Sequence, residues 1–356
     1  MPAKRANQVQ TGRVLVFLGL TFALSWGFDW LLVRTAGAKL FRGLAMSPWG
    51  MLVPAFAAMV LRMFFFRQSP IHVQRNRDAT RWIFYSFLMV TIVYGGVQLA
   101  AAWHGKHTAL FQGLGALVFT LWTLVLLCVR AYCNVSSLKQ KGLAIDNKAV
   151  CFRFIAAAVL LLLLQAGANL ALGLATWAPR AQRVYGLPAT GGLYVPALLF
   201  LFVPVTVIGI PLSGLAGLFG EEYGWRGFLL SALQPVGKLR AAALIGCIWG
   251  LWHLPVILRG MHTYPPTLLG FIAACMFFLL WGVIQCYAVL KTGSILLAAF
   301  LHGVVNSVHG FLTTYVIAVP NKLLSFGLGI YGIACLAVVV LFILRDPLWT
   351  EREDVQ

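Results

Sequence analysis

Acidic side chains are scarce in this sequence. Of its 356 residues only 9 are Asp or Glu, against 27 Lys and Arg, and 10% are charged while 61% are hydrophobic. No CxxC pair occurs among the seven cysteines, most of which fall in apolar stretches, so they are expected to pack rather than to form a disulfide framework or a zinc site. No HExxH helix is present, which removes the usual two-ligand motif of zinc peptidases. Gly/Ser-rich and Pro-rich linkers and internal repeats are also missing, which argues against separate soluble domains. The first apolar stretch lacks the short core and small-residue cleavage site of a removable signal, so it is expected to be retained.

What is present is a series of apolar runs of about 20 residues, the length that crosses a hydrocarbon core. Continuous runs exclude a β-barrel, which needs alternation. The expected fold is an all-α, polytopic helical membrane protein of about ten transmembrane helices, at 14–33, 48–66, 82–103, 108–129, 154–176, 194–233, 241–258, 267–290, 295–318 and 323–344. The sixth is long for one span, and Pro204 and Pro211 predict a kink or break within it. Trp49, Trp82, Trp103 and Trp177 fall at segment ends and read as interfacial anchors.

The basic residues alternate between loops unequally. Lys4, Arg5, Arg13, Arg67, Arg75, Arg77, Arg81, Arg130, Lys139, Lys141, Lys148 and Arg153 fall on one side of the first half, and Arg34, Lys39, Arg42, Lys106, Arg180 and Arg183 on the other. The positive-inside rule then places both termini in the cytoplasm. The same bias, with attraction to anionic headgroups of the lipid bilayer, accounts for a formal charge of +18. Nucleic acid is not expected as a partner, because the basic residues are scattered without interleaved exposed aromatics. With no organelle-targeting signal, a prokaryotic plasma membrane is the expected location.

Against this background two adjacent acids stand out. Glu221 and Glu222 lie inside an apolar stretch, and ionisable groups at bilayer depth are costly and mark functional sites. On a helix Glu222 shares a face with Arg226, so those two form the natural ion pair and Glu221 is left for another task. Trp249 and His253 share a second helical face, and His302 and Asn306 a third. Glu221 precedes Pro235 by 14 residues, His253 follows Arg240 by 13 and His302 follows Lys291 by 11, which puts all three at one depth, about 16–21 Å from the same membrane face. Such a set suits amide hydrolysis: a carboxylate and an imidazole handle the proton of a water, and an imidazole and a carboxamide donate to an oxyanion. The site therefore needs a polar cavity, expected to open to the cytoplasmic side. His309 shares the His302 face and is expected to make a structural hydrogen bond, while His262 in a Pro-rich loop carries no expected chemistry.

Glu221-Glu222-Tyr-Gly-Trp-Arg226-Gly227, Trp249-Gly-Leu-Trp-His253-Leu-Pro and His302-Gly-Val-Val-Asn306 resemble the three ordered motifs of the CAAX prenyl protease and bacteriocin-processing family of intramembrane glutamic endopeptidases. The resemblance spans about residues 194–310. It implies that Glu221 and His253 activate water, that His302 and Asn306 stabilise the oxyanion, and that Glu222 and Arg226 support the site, with no metal and no cofactor. Trp249 stands where the family often has Phe. The implied substrate is a membrane-associated protein or peptide, with or without a prenyl group. The chain then divides into N-terminal helices of unassigned role (1–190), a CAAX-protease-like core (191–320) and a last helix with a tail (321–356). Two alternatives stay open: a non-hydrolytic scaffold or immunity-type protein, and a zinc peptidase using Glu221, His253 and His302 as ligands.

Overall fold

A computed structural model describes residues 11–36, 48–104, 109–178, 183–184, 187–188, 194–259 and 264–351. Lys4, Arg5, Lys39, Arg42, Lys106, Arg180 and His262 lie outside the described residues. Each of the ten expected segments contains helix, although the last begins only at Ile330 and that at 241–258 is interrupted at His253. In chain order the helices are α1 (Thr11–Ala36), α2 (Gly50–Phe65), α3 (Arg81–Trp103), α4 (Ala109–Ala131), α5 (Val135–Gln140) and α6 (Lys148–Ala171). Then come α7 (194–213), α8 (215–233), α9 (Lys238–Trp252), α10 (Leu254–Leu258), α11 (Leu268–Thr292), α12 (Ile295–Val316) and α13 (Ile330–Ile343). Among the described residues seven helices are long and apolar enough to cross a membrane, and α2 and α13 are shorter apolar helices. Two small antiparallel strand pairs, Thr176–Trp177 with Ile317–Ala318 and Arg183–Val184 with Leu187–Pro188, complete the structure.

The long sixth segment does break, though not at a proline. Pro204 sits in a π-helical stretch, Phe202–Gly209, and the chain leaves helical geometry at Gly214, so α7 and α8 are separate helices. The basic 130–153 loop contains α5, which its sequence did not announce. Trp49 is a correction: it is only 9% exposed, its Nε1 donates to the Thr91 carbonyl at 2.7 Å, and it stacks on Phe28, so it packs rather than anchors. Trp82, Trp103 and Trp177 are exposed as an interfacial position requires.

Burial ranks the helices. In α11 and α12 61% and 72% of the apolar span is buried, against 28% in α1 and α4 and 22% in α6 and α7, so α11 and α12 are central. Two close crossings set the core. Gly246 of α9 and Gly282 of α11 face each other, and a Cβ on Gly282 would stand 2.8 Å from the Gly246 Cα. Gly220 and Gly224 of α8, spaced as small-x-x-x-small, let α2 approach the helix that carries the glutamates. A Cβ on Gly224 would stand 2.6 Å from the Pro54 carbonyl carbon, which is backbone and cannot swing aside.

The N-terminal half also fixes the start of α12. Ser294 caps that helix, its Oγ accepting from Leu297 N at 3.2 Å, and Ile295 N donates to the Gly142 carbonyl at 2.9 Å. Gly142 follows Lys141, a buried lysine whose Nζ lies 2.6–3.0 Å from oxygens of Asn76, Asp78, Thr80 and Ser137. Burial works to raise the Asp78 pKa, but the hydrogen bonds from Lys141, Ser137 and Thr80 outweigh it and hold the carboxyl well below its ordinary 3.8.

Two outcomes follow from this packing. Gly224→Ala is expected to destabilise the protein by about 1–3 kcal/mol through overpacking against α2, read as a lower thermal midpoint in detergent. Because the folded pKa of Asp78 is depressed, its contribution is present above the unfolded pKa and is lost as pH falls below that value toward the folded one. Asp78→Asn should therefore remove part of the loss in thermal midpoint that the parent protein shows below about pH 4; equal acid sensitivity in both would show that the Lys141 cluster contributes nothing.

Candidate functional site

Three helices bring the motif residues to one place. α8 supplies Glu221, Glu222 and Arg226, α9 supplies Trp249 and His253 at its C-terminal end, and α12 supplies His302 and Asn306. In α8 the hydrogen bonding turns from α to π geometry at Tyr223–Leu229, directly after the two glutamates. π segments recur at functional sites, and here the irregular stretch is buried apart from Gly227, as apolar surroundings demand.

The two carboxylates face different partners. Glu221 Oε2 accepts a hydrogen bond from Trp249 Nε1 at 2.8 Å. Glu222 is completely buried: Arg226 Nη1 lies 3.2 Å from Oε1 and 3.0 Å from Oε2, and His302 Nδ1 lies 3.0 Å from Oε1. The pairing of Glu222 with Arg226 is the one that helical spacing predicted. Its contact with His302, and that of Glu221 with Trp249, were not legible, because they depend on how α8 is rotated about its axis. Gly220 and Gly224 set that rotation by lying flat on α2, and their four-residue spacing was the available signal.

Trp249 joins the two carboxylates. Its ring lies 4.3 Å below the Arg226 guanidinium carbon and 5.5 Å from the His302 ring, while its indole N–H holds Glu221. Its backbone carbonyl, in turn, accepts from His253 Nδ1 at 2.9 Å. A carbonyl has no proton to give, so Nδ1 of His253 carries one and Nε2 is the basic nitrogen. The His253 ring stacks on Phe278 at 4.1 Å and stands edge-on to Trp252.

Glu221, Trp249, His253, His302 and Asn306 line one cavity of about 160 Å³, closed mainly by apolar residues including Met51, Tyr264 and Phe278. Glu222 and Arg226 do not reach it; they stand behind His302 and Trp249. Trp249 lines it, while the motif tryptophans Trp225 and Trp252 are fully buried and pack on each other. Met51 and Tyr264 were missed because they come from segments without motifs. A second, apolar chamber of about 250 Å³ adjoins the first and shares Phe277, Trp281, Asn306 and Leu328 with it. His309 lines this chamber and packs against Phe326 rather than joining the motif residues. Among the described residues no group of three or more His, Cys, Asp or Glu side chains is placed to hold a metal ion.

Apolar helices enclosing a cavity lined by a carboxylate, two imidazoles and a carboxamide define an integral membrane protein with an enzyme-like site. Residues 191–308, which carry all three motifs, match the family described as type II CAAX prenyl endopeptidase Rce1-like. A curated relative described as CAAX prenyl protease 2, from Methanococcus maripaludis, is 35% identical over 111 residues, which are 30% of this chain and 39% of the relative. The matched part thus spans well under half of that relative. No solved structure matches the chain.

Trp249→Phe tests the central contact, since it keeps the ring under Arg226 and removes the donor to buried Glu221. The expected cost is about 1–3 kcal/mol, seen as a lower thermal midpoint; an unchanged midpoint would mean that Glu221 does not depend on the indole.

Proposed function

We propose that this protein is a membrane-embedded endopeptidase that hydrolyses a peptide bond of a membrane-associated protein or peptide, using no metal ion. The observation that carries the reading is the single cavity onto which Glu221, His253, His302 and Asn306 converge while Glu222 and Arg226 stay behind it. A volume of about 160 Å³ accommodates roughly five waters at about 30 Å³ each, or one water and part of a peptide.

In this reading Glu221 takes a proton from a water as its oxygen attacks the scissile carbonyl carbon, and His253 Nε2 relays that proton to the departing amine. Negative charge develops on the former carbonyl oxygen, where Asn306 and His302 donate. Glu222 accepts from His302 Nδ1, which turns the other ring nitrogen toward the cavity and balances charge when that ring is doubly protonated. Arg226 in turn pairs with Glu222 and holds it behind the cavity. The family description points to prenylated CAAX-type substrates, and the apolar chamber beside the cavity offers room for an apolar substrate group. The distribution of basic residues puts both termini in the cytoplasm.

The test is cleavage of a peptide library, with and without prenyl groups, by purified protein in nanodiscs. Glu221→Gln and His253→Ala are each expected to lower turnover by about 100-fold or more, Glu222→Gln to lower both turnover and thermal midpoint, and a chelator to change neither. Equal cleavage by the parent protein and Glu221→Gln would overturn the mechanism. A non-hydrolytic scaffold would instead keep its biological activity in Glu221→Gln.

A further inference from the structure

Helix α1 lies outside the family-matched segment and is mostly exposed, yet one stripe of it is buried and polar. Phe17, Thr21, Ser25 and Asp29 recur every four residues and are 0–6% exposed. Helix α1 packs chiefly on α2 and α3 and touches the motif helices at two points: Phe17 packs edge-on against Trp225 of α8, and beyond it α1 reaches the end of α9. There it makes two polar contacts. Trp26 Nε1 donates to the Trp252 carbonyl at 3.0 Å, and Asp29 Oδ2 pairs with Arg259 Nη2 at 2.8 Å.

Those contacts bracket His253, at a point where the helix is broken. In a continuous helix the Trp252 carbonyl would accept from Val256 N, but Val256 N and Ile257 N both donate to the His253 carbonyl instead, at 3.0 Å each. The break releases the Trp252 carbonyl, and the Trp26 indole takes it. On the other side Arg259 folds back along α10, its Nε donating to the Pro255 carbonyl at 2.9 Å while its Nη2 reaches Asp29. The Asp29–Arg259 pair is buried only at its Asp29 end, and a partly exposed ion pair adds little stability, so the polar contacts are better understood as fixing geometry.

We infer that α1 is a positioning element of the site, Trp26 and the Asp29–Arg259 pair together holding the α9–α10 break at which the His253 ring is set. The inference rests on the peptidase reading for its effect on turnover, but not for its effect on the ring.

The experiment compares the full chain in nanodiscs with Trp26→Phe, Asp29→Asn, their combination, and Asp29→Glu, which keeps the charge. Asp346→Asn serves as a structural control: it loses contacts to Tyr287 and Lys291 at the far end of α11. Steady-state cleavage is read beside the imidazole nitrogen signals of histidine-labelled protein, with the His253 signal assigned by its loss in His253→Ala. The combined variant is expected to lose about tenfold or more in kcat with KM within about twofold, and to shift or split the His253 signal. Asp29→Glu should recover most of the loss, and Asp346→Asn should lower the thermal midpoint without changing kcat or the signal. An unshifted His253 signal in the combined variant, or a loss in kcat matched by Asp346→Asn at equal loss of midpoint, overturns the inference. If Glu221→Gln cleaves as well as the parent protein, or neither cleaves, the peptidase reading falls instead and the His253 signal alone decides the role of α1.

Discussion

The structure is organised around one constraint, the cost of holding Glu222 and Arg226 without water inside an apolar bundle. An isolated charge there is prohibitive, so the two must be paired, and the pair must be held in good geometry for attraction to offset desolvation. Arg226 meets this by lying against both Glu222 oxygens and over the Trp249 ring, and Glu222 by also accepting from His302. The first motif thereby contributes two residues and the other two motifs one each to the same charged knot. α8, α9 and α12 cannot shift relative to one another without exposing part of it to hydrocarbon, so the knot specifies the arrangement as well as stabilising it.

The catalytic candidates sit one layer out from that knot. Glu221 and Glu222 are neighbours in sequence, and helical rotation sends one to the cavity and the other behind it. Trp249 and His302 are the two residues that touch both layers. The indole ring lies on Arg226 while its N–H holds Glu221, and the His302 ring gives Nδ1 to Glu222 while it lines the cavity. A change in the knot is therefore felt in the cavity through two rigid aromatic rings, not through flexible chains. The indole is needed for both tasks: Phe at position 249 could cover Arg226 but could not hold the Glu221 carboxylate.

Much of this was legible in the sequence, for physical reasons that also mark where legibility ends. Apolar run length disclosed the helices because the bilayer imposes it, and the scarcity of acids made Glu221 and Glu222 conspicuous. Spacing within one helix gave the Glu222–Arg226 pair, the shared face of Trp249 with His253 and that of His302 with Asn306. Contacts between helices were out of reach, because they depend on rotation and crossing. Helix identity at Trp49 misled for the same reason: a tryptophan at the end of an apolar run reads as an anchor, and only tertiary packing shows its indole bonded to Thr91. The N-terminal helices gave no motif at all, yet α2 backs the glutamates, residue 142 holds the start of α12 and α1 reaches the neighbours of His253.

The places where the helices depart from regular geometry coincide with the site, and that coincidence has a chemical reason. A regular helix in an apolar medium satisfies every backbone group internally and offers nothing to a substrate or to a neighbouring helix. α8 turns to π geometry next to the glutamates, and α9 breaks at His253. The α9 break frees the Trp252 carbonyl, which Trp26 takes, while the Trp249 carbonyl accepts from His253 Nδ1 as well as from His253 N. The backbone thus fixes the histidine tautomer, a task that in many soluble sites falls to a carboxylate. With so few acids in the chain, one carboxylate is committed to the charged knot and the other remains at the cavity, and the irregular backbone does the orienting that a third would otherwise have to do.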